Sequence, residues 1–337
     1  MDNIHILKFG GTSVSAPEVR AQAIAQVLRK RALGKAVVVV VSAMGRSGAP
    51  YATDTLLGLF GDSQPTGHVK DLLASCGETI SACLFANDLV QKGCPAEPLT
   101  GTQAGIITDD CFTQANIRDM DTTKVMLLLE QGIIPVITGF QGKTVRGDVT
   151  TLGRGGSDTS AVEIGGLLGA EEIHIFTDVP GIAKVDPRLY PDTEWISHIN
   201  YDDMLLLSSW GAGVIHPRAV EAAKRYSVPT YVRSTFSDSE GTRIDSACTD
   251  IHGLIGMAVI KDSAMDGGIV VKEDGSSVIS ILCRSQIPLD MNEVLQGVCE
   301  FKCYAEADSF YHVVTASSYL ADTITAIYKK VSPEGQN

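Results

Sequence analysis

Two glycine-rich segments decide the reading of this chain: Lys8-Phe9-Gly10-Gly11-Thr12-Ser13, directly after the apolar run Ile4-His5-Ile6-Leu7, and Thr151-Leu152-Gly153-Arg154-Gly155-Gly156-Ser157-Asp158, directly before the apolar stretch Thr159 to Leu168. In the first, a strand ends in Gly-Gly beside a lysine, which presents bare backbone N–H groups and one cation to an anion. The second sets the same kind of cradle at the start of an expected helix and adds an arginine. Two anion cradles in one chain fit two negatively charged ligands, such as a nucleotide and a carboxylate. Neither segment is a nucleotide fingerprint alone. The lysine precedes the glycines instead of following them as in G-x-x-x-x-G-K-[ST], and no G-x-G-x-x-G follows the first strand. Singly, Gly-Gly here could be a tight turn and Lys8 a solvated strand end.

Outward from these segments, residues 1 to 245 alternate short β-rich runs with helical patterns. Strands are expected at Ile4–Phe9, Ala36–Ser42, Ile133–Thr138, Glu172–Thr177 and Thr230–Arg233. Helices are expected at Pro17–Arg31, Val69–Lys92, Thr122–Gln131, Asp158–Gly169, Tyr201–Gly211 and Pro217–Tyr226. Such alternation implies a mostly parallel sheet covered by helices on both faces. Ligands of such sheets sit beyond the carboxyl ends of the strands, where Gly10, Gly11, Ser42, Gly139, Thr177 and Asp178 fall. A polar turn at Phe236 to Gly241 and a fresh start at Ile251-His252-Gly253 mark a second region. It carries strands at Leu254–Ile260, Gly268–Val271, Val278–Cys283 and Phe310–Ala316, with helices at Met291–Cys299 and Leu320–Val331.

A chain of 337 residues allows one large domain or two. Its net charge of −13, from 27 basic against 40 acidic residues, argues against nucleic acid or an anionic membrane as the main partner. No signal peptide is visible, and the longest apolar run, Ala36 to Val41, is far too short to span a bilayer. Cysteines at 76, 83, 94, 111, 248, 283, 299 and 303 include no C-x-x-C pair, so no cysteine zinc site is expected. Cys76 and Cys83 lie in a helical pattern and read as buried thiols. A reduced, cytoplasmic setting fits.

In order, KFGGTSV, TTLGRGGSDTSA, Phe176-Thr177-Asp178-Val179-Pro180-Gly181 and Asp186-Pro187-Arg188 are specific. With Ser42-Ala43-Met44-Gly45, Thr53-Asp54, Cys76-Gly77-Glu78 and Gly139-Phe140, the stretch from 1 to about 245 resembles the aspartate kinases of the amino-acid kinase family. The resemblance implies an α/β class: a three-layer αβα amino-acid kinase fold with a mostly parallel central sheet, residues 1–245, and a small α+β ACT-like C-terminal domain, residues 251–332. That family usually carries two ACT domains. The residues here are enough for one degenerate copy, matched best over Phe310 to Val331, with a regulatory or oligomerisation role.

The same resemblance implies ATP-dependent phosphorylation of the β-carboxylate of L-aspartate, with Mg2+ held by the phosphates and no metal ligand from protein side chains. It implies a homo-oligomer and the first step toward lysine, threonine and methionine. Lys8, Gly10, Gly11 and Thr12 would hold the phosphates, with Lys8 and Asp158 at the reaction centre. Ser42, Thr53, Glu78, Phe140, Arg154, Gly155 and Ser157 would line the aspartate site, Glu78 meeting the amino group and Arg154 gripping a carboxylate with two parallel hydrogen bonds. Thr177, Asp178 and Arg188 would serve the nucleotide side. Read locally, Ser157 or Asp158 is also an N-cap, Glu78 a helix-surface carboxylate and Phe140 a core aromatic. Two departures stand out. Ala183 occupies a position where many family members have an aromatic, and Gly213 one where many have a lysine, for which Arg218 or Lys184 could substitute. Two alternatives stay open: a non-catalytic or regulatory nucleotide- or amino-acid-binding subunit, and a kinase of another small amino acid.

Overall fold

The computed structural model describes residues 3–247, 253–266, 269–284, 289–307 and 309–331. The expected starts at Ile251, His252 and Gly268, the end at Ser332, and Cys248 lie outside the described residues. The chain divides into two compact units: residues 1–181 with 218–246, and residues 182–217 with 247–337.

The first unit is built on strands in the order Thr242–Asp245, Thr230–Ser234, Glu172–Thr177, Ile4–Phe9, Ala36–Val41, Ile134–Thr138 and Ala96–Leu99. All neighbours run parallel except Thr230–Ser234 with Thr242–Asp245, which pair antiparallel. The central strands are buried on both faces, which is why IHILKF and AVVVVV are continuous apolar runs and not alternating ones. Phe9, Phe85 and Phe176 stack in the core between the sheet and the long helix Gly67–Gln91. Ile106–Thr108, Ile117–Met120, Gln141–Lys143 and Val149–Thr151 form a separate, smaller four-stranded sheet. Its three- and four-residue strands carry too little periodicity to be read from sequence.

The helix Gly67–Gln91 corrects one expectation. It buries Asp71, Ala74, Ser75, Gly77, Glu78, Ser81, Ala82 and Phe85, while Cys76 and Cys83 are exposed. Positions 76 and 83 are two turns apart and share the outward face. The described cysteines are all free thiols. Among the described residues, no helix is long and apolar enough to cross a membrane.

The second unit holds an antiparallel sheet in the order Gly253–Asp266, Ile269–Arg284, Phe310–Ala316, Phe301–Ala307. Helix Leu320–Val331 packs Ile324, Ile327 and Tyr328 into a core with Ile279, Ile281, Tyr311 and Val313. The first two strands pair directly, from Gly253↔Arg284 to Asp266↔Ile269, so the expected strands at 268–271 and 278–283 are one. The helix expected over Met291–Cys299 is one turn, Met291–Val294. Strand Phe301–Ala307 was not expected.

Candidate functional site

The first unit contains a cleft of about 610 Å3 at the carboxyl ends of its parallel strands. Lys8, Gly11, Ser42, Thr53, Glu78, Phe140, Arg154, Gly155, Ser157 and Asp158 all line it. Gly10, Thr12, Thr177, Asp178 and Arg188 do not.

Lys8 is the penultimate residue of the first strand, its side chain almost buried, and its Nζ lies 2.5 Å from Asp158 Oδ1. Asp158 is in the first turn of helix Gly156–Leu168, so this ion pair ties one glycine-rich segment to the other. The turn after Phe9 is held by contacts that exclude side chains. A Cβ on Gly11 would come within 2.5 Å of Gly45 O and 2.6 Å of Ala43 O, and Gly11 O accepts from Gly45 N–H at 2.9 Å. Gly10 donates its N–H to Phe176 O at 3.3 Å. That amide is therefore engaged within the sheet, and Gly11 is the glycine that faces the cleft.

Helix Gly156–Leu168 begins at Gly155, which sits in the left-handed region with φ 65°, and no side chain caps it. Neither Ser157 nor Asp158 is the N-cap. The first turn thus brings uncapped backbone and the positive end of the helix to the cleft. Phe140 sets the position of this helix. It adopts a positive φ of 69°, donates its N–H to Ser160 Oγ at 2.9 Å, and lies where a Cβ on Gly156 would meet its ring at 2.7 Å. Arg154, on the loop before the helix, is exposed and has its guanidinium available to the cleft.

Glu78 is 2% exposed. Its Oε1 accepts from Ala43 N–H at 3.0 Å, and Oε2 has no hydrogen-bond partner among the described residues. Burial pushes its pKa up to about 7, opposed by hydrogen bonds. An apolar helix face that carries a half-satisfied carboxylate into a cleft is an arrangement that asks for a cationic partner.

Sequence reasoning missed Asp71. This buried carboxylate accepts from Thr113 N–H, Thr151 N–H at 2.9 Å and Thr151 Oγ1 at 2.7 Å. It locks the strand that feeds Gly153–Asp158 against the long helix. Its signal was available: an acid seven residues before Glu78 lies on the same helix face. Arg46 and Lys70 also line the cleft, and Arg46 reaches Asp178 at 2.6 Å. Arg218 donates to Leu152 O and to Ala115 O at 2.8 Å, so it props the same loop. In the second unit, Lys184 pairs with Glu194 at 2.6 Å and Arg188 with Asp186 at 2.6 Å. There Ala183 pairs across a two-stranded ladder with Trp195, an exposed aromatic.

The amino acid kinase family model matches residues 3–234. The chain belongs to the amino acid kinase family. Within that family it is similar to "Aspartokinase 1" of Bacillus subtilis, 45% identical over 268 residues, which is 77% of this chain and 66% of that protein. The aspartokinase of Geobacillus stearothermophilus is 46% identical over 72% of this chain and 58% of its own length. An aspartokinase of Thermus thermophilus is 38% identical over 87% and 72%. The chain thus spans 66% and 58% of the length of the first two relatives. A crystal structure of aspartate kinase from Synechocystis matches with a TM-score of 0.65 at 27% identity, over 98% of this chain and 70% of that one. E. coli aspartokinase III in complex with aspartate and ADP matches with a TM-score of 0.80 at 19% identity, over 97% and 99%, and so shares the fold.

Proposed function

We propose that this chain transfers the γ-phosphoryl group of ATP to the β-carboxylate of L-aspartate, giving 4-phospho-L-aspartate and ADP. The observation that carries this reading is one cleft in which the Lys8–Asp158 pair, the uncapped helix start, Arg154 and the unpaired Oε2 of Glu78 converge. The similarity to aspartokinases supports it.

A β-carboxylate oxygen attacks the γ-phosphorus, and the bond to the bridging oxygen breaks with its electron pair leaving on ADP. The nucleophile is already an anion, so no general base is needed. The demand is to hold two negatively charged partners together and to neutralise the charge that develops. Lys8 supplies a fixed cation, oriented by Asp158. Gly11 and the helix start supply N–H groups. Arg154 grips a substrate carboxylate, and Ser42, Thr53 and Ser157 line the same wall. Glu78 takes the α-ammonium, which replaces the partner its Oε2 lacks. Mg2+ enters with ATP as part of that substrate, held by phosphates and water. Thr177 and Asp178 remain assigned to the nucleotide, while Arg188, in the second unit, is already held by Asp186. We further assign residues 251–332 a regulatory or oligomerisation role as a single ACT-like domain, which light scattering of the purified chain tests.

The test is ADP release with ATP, Mg2+ and L-aspartate, with hydroxylamine present to trap acyl phosphate. Aspartate-dependent ADP and hydroxamate, both lost in Lys8→Ala, are the expected result. One observation favours a second reading, a nucleotide- or amino-acid-binding subunit without turnover: Gly213 supplies no cation and Lys184 and Arg218 are already engaged. Binding of ATP or aspartate with no turnover would select it.

A further inference from the structure

At the opposite end of the same two strands, three side chains converge that the kinase reading does not use. His5 and Glu172 are direct partners in the parallel pairing of Ile4–Phe9 with Glu172–Thr177, and His174 lies two residues further along, on the same face as Glu172. His5 Nδ1 is 3.3 Å from His174 Nε2 and 3.4 Å from Glu172 Oε2, and His174 Nε2 is 3.0 Å from Glu172 Oε2. We propose that His5, His174 and Glu172 form a binding site for a divalent transition-metal ion of the zinc class.

The geometry fits that chemistry. Zinc bonds to imidazole nitrogen and carboxylate oxygen are about 2.0–2.1 Å, so the edge of a tetrahedral ligand set is about 3.3 Å. The three atoms here form a triangle with sides of 3.0, 3.3 and 3.4 Å. An ion about 2.05 Å from each stands about 0.8 Å off their plane, close to the height in a regular tetrahedron, with the fourth position left for water. Two nitrogens and one oxygen are a borderline donor set that suits zinc, cobalt or nickel better than magnesium.

The surroundings are those of a metal site. His5 Nε2 lies 3.3 Å from Glu171 Oε2, a carboxylate on the non-ligating nitrogen, which fixes the tautomer with the Nδ1 lone pair facing the cluster. Tyr231 OH is 3.4 Å from Glu172 Oε1 and aims the other oxygen inward. Both histidines are buried at 1% exposure. Among the described residues His174 Nδ1 is buried with no hydrogen-bond partner, so an ion on Nε2 would displace the contact to Glu172 and leave the Nδ1–H unpaired, which opposes binding as the nearby cations do. Half-exposed Glu171 and the partly exposed Glu172 give an ion its way in. Lys30 Nζ, 3.4 Å from Glu172 Oε2, opposes a cation, as do Lys35 and Arg233 nearby. Removing Lys30 should therefore tighten binding. Bound metal would cross-link the two central strands and stabilise the fold by mass action.

The test is titration of chelator-stripped full chain with Co2+, read by the visible d–d band of a four-coordinate ion, followed by displacement with Zn2+ and a thermal melt with Zn2+. The expected result is one equivalent bound and a raised Tm. Both effects should be lost in Glu172→Gln, a partly exposed change that spares the core, and binding should weaken ~10–100-fold in Glu171→Gln and tighten in Lys30→Met. Absence of a band and of a Tm shift in the parent chain would reduce the cluster to hydrogen bonds and overturn the proposal. So would a band unchanged in Glu172→Gln, or one accompanied by the near-ultraviolet charge transfer of thiolate ligation, which would point to the exposed cysteines.

Discussion

Binding of aspartate at neutral pH should expel a proton from Glu78. The carboxyl is raised from 4.5 to about 7 by burial, which corresponds to ~3 kcal/mol held against the ionised form. The sign for stability follows. Below pH 4.5 folded and unfolded states are both protonated at this group and no penalty arises. As pH rises the unfolded state loses the proton first, so the penalty grows until about pH 7 and stays at ~3 kcal/mol above it. An ammonium placed on Oε2 reverses this by favouring the ionised form. Near pH 7 about half of the free protein carries the proton, so binding should release ~0.5 proton, rising toward ~1 at pH 6 and falling toward ~0.1 at pH 8. Apparent affinity for aspartate should fall up to ~10-fold for each pH step below 7 and level off above it. Calorimetry in buffers of different ionisation enthalpy reads the proton directly. Glu78→Gln should bind aspartate weakly with no proton release, and its stability should lose the decline between about pH 5 and 8. Equal proton release by parent and variant, or none by the parent, would refute the pairing of Glu78 with the substrate amino group.

Arg154→Ala should raise the KM for aspartate ~10–100-fold, the loss of a charge-assisted bidentate contact, while ATP affinity measured by calorimetry stays the same; equal loss of both would end that assignment. Lys8→Ala should lower kcat ~100–1,000-fold, and Asp158→Asn should lower kcat with little change in either KM, both read in the coupled ADP assay. Asp71→Ala should cost ~2–6 kcal/mol in urea unfolding, from two buried N–H groups left unpaired at ~1–3 kcal/mol each, and Asp71→Asn much less, since one acceptor oxygen remains.

What was legible in the sequence divides by the range of the forces involved. Five strands of the main sheet were legible from their apolar and β-branched content, so Ile4–Phe9 and Glu172–Thr177 match the expected boundaries, as does helix Pro217–Tyr226, whereas the short, polar strands Ala96–Leu99 and Thr242–Asp245 were not expected. The cleft residues were legible where a motif imposes a local backbone, as at Gly155 with its positive φ, or where a charge interrupts an apolar pattern, as at Glu78. What was not legible depends on which distant atoms meet. Gly10 and Gly11 are equivalent in sequence, yet one amide is taken by Phe176 O and the other glycine faces the cleft, because strand Glu172–Thr177 runs alongside one and not the other. Asp71 looks like any helix acid until the loop at Thr113 and the strand at Thr151 close over it. His5, Glu172 and His174 show the same limit most sharply. No ligand spacing links residue 5 to residues 172 and 174, and only the parallel register of two strands brings them within 3.4 Å. A sheet that gathers the groups of a cleft at its carboxyl ends necessarily gathers the opposite strand ends as well, and any chemistry there is written in register and not in motif.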